Sequence, residues 1–293
     1  MHYQQLIITE PASNFRALAR QGVKGRWGDA FLKGLVYMLI LNLPILLIYA
    51  FTVAPDMSES MNELMSGAIS YEEYTEMVTD GDALDQALPS AYSNAYSSLS
   101  PLSWVYSLLI GGALMFGITS VYLRYRRRQE APTELLFVGF SNFSRAIALY
   151  LIMSIFIALW TLLFIIPGII ASYRYRLAFY ILIDNPGMGP LEAINMSKAL
   201  MNGNKWKLFC LDLSFIGWGI LATFITAIVS TPFAMSMTLG ANAMDMSGLP
   251  LYTIIAGVIA CVAFGLLYVY NGTAVAAFYE RASGILKYRD EIN

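Results

Sequence analysis

Charge is what this chain has least of. Only 13 % of its 293 residues are Asp, Glu, Lys or Arg, about half the share in an ordinary soluble domain. Histidine is nearly absent: His2 is the only one. That excludes histidine-based triads, histidine-bearing metal sites and histidine proton relays from the body of the protein. There are two cysteines, Cys210 and Cys261, each inside an apolar run. They read as buried thiols, with no disulfide or zinc spacing. The formal net charge is −2, so no basic surplus points to nucleic acid. A phosphate-binding loop, a nucleophile elbow and a paired-carboxylate motif are all missing. The protein is therefore expected not to be an enzyme, and to need neither cofactor nor metal.

What the chain has is hydrophobicity, 57 % of its residues, gathered into long runs. A helix that crosses a bilayer needs about 20 apolar residues. Runs of this kind cover about 30–53, 102–123, 208–231 and 251–279. Residues 146–183 form one apolar stretch too long for a single crossing, with Ile165-Ile166-Pro167-Gly168 in its middle. A kinked helix and a hairpin turning at Pro167 and Gly168 are the two readings. Arg145 precedes the stretch and Lys198, Lys205 and Lys207 follow it. Basic residues mark the cytoplasmic side of a membrane, so both ends lie on one side and the hairpin is favoured, with segments at 146–166 and 169–184. A fourth segment that re-enters without crossing would satisfy the same charges.

Lysines and arginines outside the runs all fall before the first run, between the second and third, between the fourth and fifth, or after the sixth. The alternate segments carry none. The expected architecture is a single all-α domain: a polytopic membrane helical bundle of six transmembrane helices, with both termini cytoplasmic. The first run is too long for the apolar core of a signal peptide and should remain as an anchor.

The loop at 54–101 then faces outward. It bears nine acidic residues and no basic one. Ser70-Tyr71-Glu72-Glu73 resembles a capping box. Met57, Met61, Leu64 and Met65, and then Tyr71, Tyr74, Met77 and Val78, form stripes of two short amphipathic helices. Such a cap is either a solvated loop or an acidic lid that attracts a cationic peptide. Asp80-Gly81-Asp82 is too short to make a calcium loop.

The odd-numbered runs are entered alike. Pro11 leads in sixteen residues to Trp27, Pro190 in sixteen to Trp206, and Pro132 in eleven to Phe143. Proline favours the first helical turn. Apolar stripes follow: Phe15, Leu18 and Ala19 after Pro11, then Leu191, Ile194 and Leu200 or Met201 after Pro190. These predict cytoplasmic interfacial amphipathic helices, with Trp27, Phe143 and Trp206 as interfacial anchors.

Charge inside a span calls for a partner. The candidates are Arg174 and Arg176 in the fourth run and Asp212 in the fifth. Counted from Asp184 and Lys207, Arg176 lies about 12 Å deep and Asp212 about 8 Å, so these two can pair across antiparallel neighbours. Residues two apart on a helix point to different faces, so Arg174 needs another partner. It could be a hydroxyl, a lipid headgroup or a substrate. Arginine suits phosphate recognition, which makes an anion site one reading and a structural ion pair with a snorkelling arginine the other.

Several segments carry a family resemblance. They are Phe140-Ser-Asn-Phe-Ser-Arg145, Ile165-Ile-Pro-Gly-Ile-Ile170, Tyr173-Arg174-Tyr175, Ala178-Phe179-Tyr180 and Asp184-Asn-Pro186. Lys205-Trp206, Leu211-Asp212-Leu213-Ser214-Phe215 and Ala276-Ala277-Phe278-Tyr279-Glu280 continue it. The chain resembles the bacterial integral membrane family called domain of unknown function 975. The resemblance implies a bacterial plasma membrane protein and supplies no activity. A looser similarity to the membrane portion of some glycerophosphodiester phosphodiesterases implies lipid-related work. The expected roles are a transport or lipid- or peptide-handling component, with membrane lipids, an anionic lipid or a cationic peptide as partners. The alternatives are a non-catalytic scaffold, assembly or immunity protein that uses the acidic loop, or a permease-like subunit.

Overall fold

A computed structural model describes residues 6–48, 90–239 and 249–284, and every regular element among them is a helix. Helix α1 spans Ala12–Val23, α2 Trp27–Leu41, α3 Leu43–Ile48 and α4 Ser90–Arg126. A 3-10 turn at Thr133–Phe137 leads to the one-turn α5, Val138–Ser141. Then come α6 (Phe143–Leu163), α7 (Ile165–Tyr175), α8 (Ala178–Asp184), α9 (Pro190–Leu200), α10 (Lys205–Leu239) and α11 (Leu249–Ala282). Three stretches among the described residues are long and apolar enough to cross a membrane: Val105–Arg126, Phe143–Leu163 and Val262–Ala282. The two short helices expected within the acidic loop lie outside the described residues.

The chain divides into two compact units. One comprises residues 1–38, 108–222 and 261–293, the other residues 39–107 and 223–260. In the second unit the Tyr106 hydroxyl donates to the Ile40 carbonyl at 2.7 Å. The candidate residues all belong to the first unit.

Helix starts follow the prolines. Pro11 and Pro132 sit in extended conformation immediately before α1 and the 3-10 turn. Pro190 is the first residue of α9, where its missing N–H costs nothing. The Gly189 amide there donates to Glu192 Oε2 at 3.0 Å. After α1 the chain turns at Gly25, and after α9 at Gly203, each with φ +79°, a left-handed conformation that glycine adopts without a Cβ clash. Trp27 and Trp206 then open the long helices α2 and α10. The first and third entrances thus share one geometry. The second departs from it: Gly139 makes no corner but presses against the Ala113 carbonyl of α4.

The apolar stripes of α1 and α9 are turned to protein. Phe15, Ala19 and Val23 are buried, and Phe15 meets Phe278 with ring centroids 5.3 Å apart. In α9, Ala193, Ile194, Ser197 and Leu200 are buried, while Leu191 is exposed. Leucine at 191 precedes the face that α6, α7 and α8 cover.

Two expected helices are interrupted. The first run breaks at Asn42, and Pro44 takes the second position of α3. The 146–183 stretch breaks at Phe164, whose backbone is extended. Pro167 and Gly168 therefore lie in the first turn of α7 and are not the bend itself. Proline within the first turn of a helix starts it without distortion, so the bend moves three residues upstream. Past the bend, Gly168 abuts Thr161 so closely that a Cβ would fall 2.1 Å from its hydroxyl, and the two legs touch. The segment expected at 169–184 is also divided, with Arg176 and Leu177 forming a turn between α7 and α8.

Candidate functional site

Two of the three candidate charges, Arg176 and Asp212, lie where α7, α10 and α11 meet. Asp212, on α10, is held by two neutral donors: the Tyr173 hydroxyl on Oδ2 at 3.1 Å and the Asn271 amide on Oδ1 at 3.0 Å. Arg176 Nη2 stands 3.9 Å from Oδ2. That is an ion pair at the limit of contact, and the Arg176 side chain is 44 % exposed. Arg176 and Asp212 are thus brought together, but tyrosine and asparagine hold the carboxylate in place. Behind them the rings of Tyr173, Phe209 and Trp206 form a strip, with centroids 5.9 and 5.2 Å apart.

Arg174 is not brought to this cluster. Its backbone carbonyl accepts from the Ser197 hydroxyl at 2.8 Å. Its half-buried guanidinium makes no hydrogen bond or ion pair with the described residues. Next to it Tyr175 is buried, and Lys198 places its ammonium 5.7 Å from the ring centroids of both Tyr175 and Phe156. Such cation–ring contacts stabilise a charge in apolar surroundings. Neither Arg174 nor Lys198 is bonded to a carboxylate among the described residues.

The more deeply buried charges are elsewhere. At the end of α4, Arg127 donates to both oxygens of Asp184, at 2.9 and 2.6 Å, and its Nε donates to Glu280 at 3.0 Å. Arg126 approaches the other Glu280 oxygen at 3.3 Å, and the Tyr279 hydroxyl donates to Asp184 at 3.0 Å. Glu280 is fully buried and Asp184 is 5 % exposed. Burial alone would weaken the Arg127 charge, but the two carboxylates outweigh it and raise its pKa further. The network ties α4, α8 and α11 at one end. From its place at the inner end of the sixth run, Glu280 reads as an interfacial cap. The available signal was that Asp184 and Glu280 are acidic residues placed among basic segments at the edge of apolar runs.

A second missed group surrounds Lys33, an amine 1 % exposed that forms an ion pair with Asp29. The Tyr125 hydroxyl donates to the other Asp29 oxygen at 2.7 Å. At the turn before α10, buried Asn204 pins the N-terminal segment. Its Oδ1 accepts from the Ile8 amide at 2.9 Å, and its Nδ2 donates to the Leu6 carbonyl at 2.9 Å. No three His, Cys, Asp or Glu side chains among the described residues are placed to share a metal ion.

Residues 162–285 match the model of a family described as protein of unknown function, DUF975. No curated protein and no solved structure matches the chain. The matched region begins at the α6–α7 bend and contains Arg174, Arg176, Asp212, Asn271, Asp184 and Glu280. Over that region, which holds the Asp212 cluster and both carboxylates of the buried network, the chain is similar to the DUF975 family.

Proposed function

We propose that this is a non-catalytic, multi-pass protein of a bacterial plasma membrane that handles lipid by binding a phosphate-bearing headgroup at Arg174. Its six apolar segments form three hairpins that each begin and end on the cytoplasmic side, and both termini are cytoplasmic. The confinement of lysine and arginine to alternate segments supports this orientation.

One observation carries the site. Arg174 lies on an apolar helix with no acceptor for its guanidinium among the described residues. An intramembrane arginine is costly and requires an anion or water. Ten residues, with the turn at Arg176 and Leu177 among them, separate it from Asp184, so a headgroup drawn inward from the cytoplasmic face can reach it. A guanidinium can hold two phosphate oxygens at once, and Lys198 adds a second positive charge beside Tyr175.

The test uses the full chain in nanodiscs of phosphatidylglycerol or phosphatidylcholine, with retained lipid read by native mass spectrometry. Wild type should retain phosphatidylglycerol. Arg174→Ala should lower that at least tenfold with unchanged melting temperature, and Arg174→Lys should retain an intermediate amount. Adding inorganic phosphate separates a headgroup from a free anion, because a free-anion site would be occupied in phosphatidylcholine discs. Equal retention by wild type and Arg174→Ala would end the proposal.

A further inference from the structure

The bend between α6 and α7 leaves five consecutive large apolar side chains bare. Leu162, Leu163, Phe164, Ile165 and Ile166 are each 61–86 % exposed. Between Thr161 and Ser172 there is no polar side chain at all. Both flanking hydroxyls turn back on their own helices, Thr161 to the Ile157 carbonyl at 2.8 Å and Ser172 to the Ile169 carbonyl at 2.7 Å. The other two connections expected on the outer side are different. Residues 54–101 carry nine acids, and the third connection carries Asn242, Asp245 and Ser247. A turn that surfaces into water has no reason to exclude every polar residue.

The backbone at the bend is also economical in exposed polar groups. The Phe164 amide donates to the Trp160 carbonyl at 3.1 Å, and its carbonyl accepts from the Gly168 amide at 3.2 Å. A single extended residue therefore ends one helix and begins the next with both its backbone groups bonded. The first turn of a helix ordinarily leaves N–H groups without partners. Pro167 removes one of them. In hydrocarbon each backbone polar group must find a partner within the protein, and both groups of Phe164, the non-helical residue, do so.

Length agrees. At the base, Arg145 Nη2 donates to the Asn185 and Met188 carbonyls at 3.1 and 2.9 Å, so the two ends of the hairpin are tied together. From Arg145 to Leu163 is 18 residues, about 27 Å of helix. The hydrocarbon core alone is about 30 Å thick.

We infer that the α6–α7 hairpin is re-entrant. It enters from the Arg145–Asp184 side and stops among the acyl chains of the opposite leaflet, where residues 162–166 bind lipid tails and do not reach the far aqueous phase. The first and third hairpins cross and the middle one returns. The inference rests on the proposed orientation, in which both hairpin ends are cytoplasmic.

The experiment is cysteine accessibility in the full chain after Cys210→Ser and Cys261→Ser. Single cysteines replace Phe164, Ile166, Ser70, Asp245 and Gly187, and a membrane-impermeant maleimide is applied to intact cells and to inside-out vesicles. Positions 70 and 245 should label from outside and 187 from inside. Positions 164 and 166 should label from neither side, at under a tenth of those controls, and fully after denaturation in dodecyl sulfate. Labelling of 164 or 166 from outside at the level of position 70 overturns the inference while leaving the orientation intact. Labelling of 187 from outside overturns the orientation itself. A second variant, Phe164→Asp, should cut the amount of folded protein several-fold. Wild-type amounts of it would show a tip that sits in water and would sink the inference.

Discussion

Arg127 holds Asp184 by both terminal nitrogens of its guanidinium and, through Nε, also holds Glu280. The two carboxylates are 57 and 153 residues away in sequence, so one side chain ties the end of α4 to both α8 and α11 through charge. An ion pair shielded from water becomes an uncompensated charge when one partner is removed, at a cost of about 3–5 kcal/mol. Asp184→Asn and Arg127→Ala are each expected to destabilise the protein by about 3 kcal/mol. The double variant should be less destabilised than the sum of the two. Equilibrium unfolding in dodecyl sulfate and mixed micelles measures all three, and strict additivity would show that the two side chains do not act on each other.

Close helix packing makes a second set of expectations. A Cβ on Gly117 would lie 1.9 Å from the Leu136 carbonyl oxygen, and one on Gly139 equally near that of Ala113. Both neighbours are backbone and cannot swing aside. Gly117→Ala and Gly139→Ala should each cost about 3 kcal/mol through overpacking. Gly217, on α10, has nothing within 4 Å of its would-be Cβ. Gly217→Ala should leave stability unchanged or raise it by about 0.8 kcal/mol. Melting temperatures in one detergent separate the pair from the control.

The helical class of the described residues, and the ends at which their charges collect, can be read from run length and from the placement of Arg and Lys. The approach of Arg176 to Asp212 is also legible. Antiparallel neighbours with charges at similar depth have only one way to meet. What holds Asp212 is less so, because Asn271 lies 59 residues away, inside the sixth run, and no spacing ties it to Asp212. The bend at Phe164 was hidden by Pro167: a proline in an apolar run marks either the end of one helix or the first turn of the next, and spacing alone does not choose. The Arg127 network was hidden for a related reason. Asp184 and Glu280 stand at the edges of runs, where a solvated carboxylate and a buried one give the same pattern.

Asn204 gives a third prediction, one with no trace in hydropathy. Its side chain bonds the Ile8 amide, the Leu6 carbonyl and the Leu200 carbonyl, at 2.9, 2.9 and 2.8 Å. Asn204→Ala would leave buried backbone groups without partners, at about 1–3 kcal/mol. The loss should be local. Trypsin should cleave the N-terminal segment at Arg16 and Arg20 at least tenfold faster, while the melting temperature of the remainder falls by only a few degrees. Asn204→Asp keeps the acceptor for Ile8 but loses the donor, and should fall between. Unchanged cleavage in Asn204→Ala would mean that the segment is held by other contacts.

Asp29 links stability to pH. Burial would push its carboxyl up, but hydrogen bonds from Lys33 and Tyr125 outweigh burial and hold it below its ordinary 3.8. A carboxyl whose folded pKa is depressed contributes stability that is fully present above its unfolded pKa and is lost as pH falls through the folded one. The contribution should therefore be constant from neutral pH down to about 4 and disappear below that. Asp29→Asn removes the charge facing Lys33, an amine only 1 % exposed. It should cost about 2 kcal/mol at pH 7, the range of a hydrogen bond to a charged group. Other carboxylates titrate in the same range, so the informative quantity is the difference between the two proteins. Melting temperature followed from about pH 7 to about pH 2.5 should show wild type above the Asp29→Asn variant by a constant margin that closes only below about pH 4. A margin that persists to the lowest pH would mean that Asp29 stabilises the helix end without its charge.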